Sequence, residues 1–160
     1  MPVFDPIQGT EYIIEIDTET LTTTPNATRG VDANFRPVVC LVSNGVDATS
    51  ADQETTNKCS GGFKTSQSGV KSWNITGNGQ AISITQAPAD DYANFNELMS
   101  LWKSGTQFFA RITNAASTNY YREGRVYISS QAETQPNQEA ITFDTTLTGV
   151  GELFLTPPVV

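Results

Sequence analysis

The sequence predicts a mainly β fold, an antiparallel sandwich or barrel of about eight strands flanked by one α-helix. Apolar and polar residues alternate along several short segments, Asn, Ser, Pro or Gly bound these segments, and only one segment has a helical period. Charged residues make up 16% of the chain, and Thr, Ser, Asn, Gln and Gly dominate its polar part. At 160 residues the chain has the length of one domain, which we take to span residues 1–160.

The strand pattern is clearest near the N-terminus, where Tyr12, Ile14 and Ile16 alternate with acidic residues, as in a half-buried strand. Residues 37–43 are instead a continuous β-branched run, typical of a buried strand. Residues 77–80, Gly-Asn-Gly-Gln, are predicted to turn a hairpin between two strands. The eight predicted strands are residues 11–17, 37–43, 70–76, 81–85, 107–113, 120–130, 139–148 and 152–155.

One helix is predicted over residues 94–105. Asn94 can cap its start, with Glu97 in the reciprocal capping position, and Gly105 can take the left-handed conformation that ends a helix. Apolar side chains recur at i, i+3, i+4 and i+7, which predicts one stripe packed against the sheet. The predicted packing residues are Phe95, Leu98, Met99 and Trp102.

Residues 44–69 are rich in Thr, Ser, Asp, Asn, Gly and Lys and hold few large apolar side chains. A structureless loop of this length is uncommon inside a compact domain, so we expect an arm that orders on a neighbouring molecule. The tail, residues 156–160, contains two prolines and is predicted to be a second extended arm. Candidates for contacts between subunits in the long loop are Asp52, Glu54, Lys58, Phe63 and Lys64.

Charge and the rarer residue types exclude several functions. The net charge is −8, which argues against binding to nucleic acid phosphates, and no apolar run is long enough to span a membrane. Residues 1–10 show no secretion signal. The chain has no histidine, which removes the usual general base and zinc ligand. Cys40 and Cys59 lack metal-ligand spacing; we expect two free thiols, with a disulfide between them as the alternative. We therefore expect no catalytic residues, no metal and no cofactor.

The order of elements in the second half points to a family. A helix ends in Leu101-Trp-Lys-Ser-Gly105, a strand follows at Phe108, and a late strand runs through Ala140-Ile-Thr-Phe-Asp-Thr-Thr-Leu-Thr-Gly149. This order resembles the major tail tube proteins of long, non-contractile phage tails. The resemblance covers most of the chain, from the first strand to Leu155.

The resemblance implies a β-sandwich with a flanking helix, six copies of which close into a ring whose inner sheets form a continuous barrel. Stacked rings would form a tail tube in the virion, assembled in the host cytoplasm, which conducts DNA during ejection. The implied partners are further copies of the chain, a tape measure protein in the lumen, and tail terminator or baseplate proteins at the ends. The long loop and the termini would join subunits and rings.

An acidic channel wall would repel DNA phosphates and so prevent sticking. The residues proposed to face the lumen are Glu11, Glu15, Asp17 and Asp144. The alternative for these carboxylates is ordinary solvated surface on the polar side of a strand. Trp73, Trp102, Phe108 and Phe143 are predicted to be packing residues rather than a stacking platform.

A second class of function stays open from the sequence, an adhesin-like or carbohydrate-binding β-sandwich. A glycosidase built on two carboxylates is a weaker possibility, since carboxylates are expected on a surface of this charge without catalysis. A binding module should remain a monomer, whereas a tube subunit should form rings or rods as its concentration rises.

Overall fold

A computed structural model describes residues 12–38, 41–57, 59, 61, 63–81, 92–114, 117–137 and 139–158, with the backbone alone for 117–119. The strands are β1 (Tyr12–Asp17), β2 (Arg36–Pro37), β3 (Leu41–Glu54), β4 (Ser66–Gln80), β5 (Phe108–Asn114), β6 (Ser117–Thr134) and β7 (Thr142–Phe154). The helices are α1 (Thr20–Thr23) and α2 (Phe95–Ser104), and Asp32–Asn34 form a turn of 3-10 helix.

The mainly β prediction is confirmed. All seven strands pair antiparallel in one sheet of order β2-β1-β5-β6-β7-β4-β3. The sheet curls so that β1 lies over β4: a Cβ added to Gly77 would come within 2.9 Å of Ile14 Cδ1. Asn44 Nδ2 also donates to the carbonyl of Tyr12 at 2.9 Å. No ladder joins the two edge strands within the described residues, so the sheet is not a closed barrel.

The core lies between the two halves of the curled sheet. Alternation along each strand sends one set of side chains inward, and burying such side chains contributes about 1.5 to 3 kcal/mol each. Trp73, Phe108 and Phe143 belong to this core, as predicted. Its large, fully buried aliphatic members are Ile14, Ile16, Ile75, Leu98, Ile112, Val126 and Leu147.

The predicted helix is confirmed as α2. The Asn94 side chain accepts the backbone N–H of Glu97 at 3.0 Å, and Gly105 ends the helix with φ +64°. The packing stripe is only partly right. Leu98 is buried and Phe95 packs against the core, but Met99 is half-buried and Trp102 is 48% exposed.

The prediction for Trp102 is therefore wrong. Leu101, three residues beyond Leu98, packs against the core in its place. The helix packs mainly against one strand, β6, so only a narrow row of its side chains is buried. Trp102, in the last turn, lies outside this row and its indole is in solvent.

The long loop is also corrected, because its ends are strands. Residues 41–54 and 66–80 form one long antiparallel hairpin with 55–65 as its loop. Thr49 Oγ1 and Ser72 Oγ lie 2.8 Å apart, and Ser50 Oγ and Ser68 Oγ 2.5 Å apart, across the two strands. Every described residue from 47 to 72 is exposed except the half-buried Gly69. A ribbon exposed on both faces has no apolar alternation, which is why the sequence suggested a loop.

Two other strand predictions change. The hairpin turn predicted at residues 77–80 is wrong, since these residues continue β4 and pair with β7. Its proposed second strand lies largely outside the described residues, which end at 81 and resume at 92. The two predicted strands 139–148 and 152–155 are one strand, β7, which continues past Gly151 at φ +80°. Glycine adopts this φ without the strain of a Cβ, so the ladder survives the irregularity.

Candidate functional site

One side of the sheet is polar over four adjacent strands. Along β4 the odd-numbered residues from Trp73 to Gly79 are buried, and along β7 Phe143, Thr145 and Leu147 are buried, so the alternate residues point the other way. The register aligns these outward residues into rungs that run across β3, β4, β7 and β6. We call this surface the polar face; its residues are Ser43, Gly45, Asp47, Thr49, Ser72, Asn74, Thr76, Asn78, Gln80, Tyr127, Ser130, Ala132, Thr134, Thr142, Asp144, Thr146 and Thr148.

The polar face carries hydroxyl and amide groups almost exclusively. It contains no Lys or Arg, and its only carboxylates are Asp47 and Asp144. Asp144 is exposed and lies opposite Asn78 on β4, so its predicted position on a solvent-facing strand surface agrees with the structure. A shallow cavity of about 170 Å³ lies beside it, lined in part by Ser43, Thr76 and Asn78. These groups can exchange hydrogen bonds with water but provide no fixed positive charge.

Two of the proposed lumen residues lie elsewhere. Glu15 projects from the side of β1 that faces away from the core, where its Oε2 accepts from Arg111 Nε at 2.5 Å. Its side chain is only 13% exposed, and the Arg111 guanidinium stacks on the Phe35 ring at 4.1 Å and also pairs with Asp32. Because its charge is paired with Arg111 and its side chain is covered, Glu15 stabilises the subunit, and we do not propose it as a residue that faces the lumen.

Asp17 is fully buried and caps the chain segment that follows β1. Its carboxylate accepts the backbone N–H groups of Glu19 and Thr20, each at 2.9 Å, and that of Val31 at 3.0 Å. It also pairs with the Thr20 hydroxyl. Alternation placed Asp17 on a polar surface correctly, but residues 18–35 fold over that surface and bury it. The lumen prediction for Asp17 is therefore wrong, and Glu11 lies outside the described residues.

A buried ion pair on the same surface is a feature that the sequence did not indicate. Glu123 on β6 is 1% exposed and pairs with Arg29 at 2.7 Å, while its other oxygen accepts the Gly30 N–H at 2.9 Å. Arg29 also stacks on Phe154 at 4.5 Å and donates to the Thr156 carbonyl at 2.8 Å. This cluster fastens both the segment after β1 and the start of the C-terminal tail to the sheet.

The buried carboxylates Glu123 and Glu15 shift the pKa values of the groups that contact them. One of these groups is Tyr121, whose hydroxyl donates to Glu123. Burial, and then the hydrogen bond and negative charge of Glu123, raise the pKa of Tyr121 to about 12. Burial by itself lowers the pKa of the Arg111 guanidinium, but hydrogen bonding and charge from Glu15, with help from Asp32, outweigh it and raise that pKa. The same balance, with Glu123 as partner, raises the pKa of Arg29. The cations therefore stay charged and the phenol stays neutral at ordinary pH.

The candidates for contacts between subunits lie on the projecting hairpin. Phe63 is 78% exposed in the loop between its strands, and Lys64 Nζ lies 3.7 Å from Asp52 Oδ2. Glu54 is exposed at the end of β3, and Lys58 lies outside the described residues. Cys59 is exposed and unbridged, whereas Cys40 is outside the described residues. In the described part of the chain no helix could cross a membrane, and no group of three or more potential metal ligands occurs.

The curled antiparallel sheet, the helix α2 that covers it and the projecting hairpin form a fold that is also found in solved structures of virion tails. A chain from the tail of an empty gene transfer agent particle with C6 symmetry superposes with a TM-score of 0.71 at 15% identity, covering 95% of this chain and 100% of that one. A chain from the virion of a native gene transfer agent particle gives 0.67 at 14% identity, with the same coverage.

The tail tube of SPP1 is a third solved structure with this fold. It gives a TM-score of 0.64 at 13% identity, covering 95% of this chain and 80% of that one. No protein-family model and no curated protein sequence matches the chain. The resemblance to tail tube proteins is thus confirmed at the level of the fold, over almost the whole chain.

Proposed function

We propose that this chain is the repeating, non-catalytic subunit of a virion tail tube, and that its polar face lines the channel through which DNA passes. The observation that carries the proposal is the polar face itself, four strands wide and without a single Lys or Arg. Tight binding of DNA phosphates depends on cationic side chains. A wall of hydroxyls, amides and a few carboxylates would therefore not bind the DNA backbone tightly. The shared fold with tail and tail tube chains supports the same function.

The polar face ends on two open strand edges that are suited to joining copies. β3 pairs only with β4, so its outer edge is free of ladder partners within the described residues. The ladder between β5 and β6 ends at Val126, so among the described residues the second half of β6, residues 127–134, pairs only with β7. Pairing of β3 in one copy with this half of β6 in the next would satisfy both edges and extend the polar face around a ring.

Six copies in a ring are proposed because a structural neighbour is a tail with C6 symmetry. Stacked rings would place the chain in the virion tail, after assembly in the host cytoplasm. A channel of this kind requires a tape measure protein inside it during assembly and terminator or baseplate proteins at its ends. The long hairpin and the C-terminal residues 156–160 would join neighbouring copies.

Cysteine protection tests the proposal. In a background with Cys40→Ser and Cys59→Ser, Thr146→Cys places a thiol on the polar face and Ser100→Cys places one on the exposed side of α2. Unassembled protein should react at both positions with a maleimide attached to a large polymer. Assembled tubes, identified by negative-stain microscopy, should protect the cysteine at 146 and leave the one at 100 reactive.

Equal labelling of both cysteines in tubes would show that the polar face does not line the channel. Protein that remains monomeric at every concentration and salt, with or without the other tail proteins, would contradict the tube function altogether. That second result would favour the carbohydrate-binding alternative.

A further inference from the structure

The projecting part of the hairpin differs in charge from the rest of the molecule. We call residues 49–72, which lie beyond the last pair between β4 and β7, the arm. The arm holds three of the four lysines, Lys58, Lys64 and Lys71, and two carboxylates, which gives it a net charge of +1. The remaining residues carry fifteen acidic and six basic side chains and a net charge of −9. The arm is therefore the positively charged appendage of a strongly acidic body.

The arginines of the body are already engaged. Arg29, Arg36 and Arg111 form ion pairs with Glu123, Glu97 and Glu15 in that order. Arg122 and Arg125 donate to the backbone carbonyls of Tyr121 and Ala27. Positive charge available to another molecule thus comes mainly from the lysines, and most of these are on the arm.

Of the two arm lysines that the structure describes, Lys71 is the better placed for a partner outside its own chain. Lys64 already lies beside Asp52. Lys71 is exposed at the base of the arm, opposite Ser50, and has no ion pair among the residues that the structure describes. Because it is two residues from Trp73 on a regular stretch of β4, it points to the side of the sheet opposite the polar face.

A matching acidic surface lies at the other end of the same sheet. Residues 126–160 contain four carboxylates and no Lys or Arg. Glu133, near the end of β6, lies opposite the buried Phe143 and so shares the side on which Lys71 lies. Glu139 is exposed in the connection that follows. The arm base and this end of the sheet lie at opposite ends of the β4–β7 ladder, which runs from Asn74 and Thr148 to Gln80 and Thr142. The ladder is about 20 Å long, so Lys71 and Glu133 are too far apart for contact within one copy.

We infer that Lys71 of one copy forms an ion pair with Glu133 of a second copy stacked head to tail on it. This inference rests on the proposed tube function, because head-to-tail stacking brings the arm end of one subunit to the β6–β7 end of the next. The two side chains lie on the same side of the sheet, so the contact forms outside the channel.

A charge exchange tests the inference in tubes assembled from the full chain. Lys71→Glu and Glu133→Lys should each raise the protein concentration needed for tube formation by about tenfold, because each places like charges at the contact. The double variant restores the opposite charges and should return that concentration to within about threefold of the wild-type value. Raising the salt concentration should weaken wild-type assembly as well.

Matched controls are available in the chain. Lys103→Glu reverses the lysine on α2, and Glu152→Lys reverses a carboxylate at the arm end of β7, and neither should alter assembly by more than about twofold. Thermal unfolding of each variant shows that the monomer is intact. Unchanged assembly of Lys71→Glu, or a double variant no better than the single ones, overturns the inference while wild-type tubes uphold the proposed function. A wild-type chain that forms no tubes overturns both.

Discussion

The indole Nε1 of Trp73 donates to the backbone carbonyl of Gly151 at 3.0 Å, joining the base of the projecting hairpin to the last part of β7. The ring itself lies against Gly124 and Gly149, where added Cβ atoms would come within 2.5 and 2.1 Å of indole carbons. The two glycines thus leave the space that the indole fills. Trp73 is consequently the buried side chain from which the exposed arm extends.

Gly149→Ala should destabilise the fold by about 2 to 4 kcal/mol, because the methyl group would overlap the indole and force it or β7 to move. Urea unfolding followed by Trp fluorescence measures the change. Gly45→Ala is the matched control on β3, since its Cβ would meet only Thr76 Oγ1, at 3.4 Å. Equal stability of the two variants would contradict the tight packing of Trp73.

Glu123→Gln should lower the free energy of unfolding by about 3 kcal/mol, because it leaves the Arg29 guanidinium without its charged partner. The exposed Glu152→Gln is the control and should change stability by less than about 0.5 kcal/mol. Chemical denaturation of both variants provides the comparison. A loss as small as that of the control would mean that the cluster does not hold residues 27–31 to the sheet.

Stability should fall at alkaline pH through Tyr121. Its pKa is raised from 10.0 to about 12, so the folded protein holds the phenol proton more tightly than the unfolded chain does. The resulting stabilisation is fully present below about pH 10 and is lost as the pH rises toward 12, by about 2 kcal/mol in total. Tyr121→Phe should remove this part of the pH dependence, whereas the more exposed Tyr127→Phe should retain it.

Leu98→Ala should cost about 3 kcal/mol, because Leu98 is the residue of α2 that is fully buried. Trp102→Ala should cost less than about 1 kcal/mol, since the indole is half in solvent. Thermal or urea unfolding of the two variants distinguishes them. A larger effect at Trp102 than at Leu98 would restore the packing role that the helical stripe predicted.

The sequence by itself determined those features that depend on neighbouring residues. Asn94, Glu97 and Gly105 set both ends of α2 because capping is local hydrogen bonding. The alternation of Ile14 and Ile16 likewise identified β1 and its buried side, since the side-chain period of a strand is fixed by the backbone. The resemblance to tail tube proteins depended on the same local elements in their order.

Only the tertiary structure decided what covers each surface. Asp17 and Glu15 alternate correctly with the core, yet residues 18–35 fold over them, and no local pattern encodes that contact. The long hairpin pairs residues that are 12 to 38 positions apart, and its part from residue 47 to 72 has no buried side, so hydrophobic periodicity could not show it. Whether a polar strand residue meets solvent, a partner strand or an arginine depends on distant parts of the chain, because burial and ion pairing are made by residues that the local sequence does not contain.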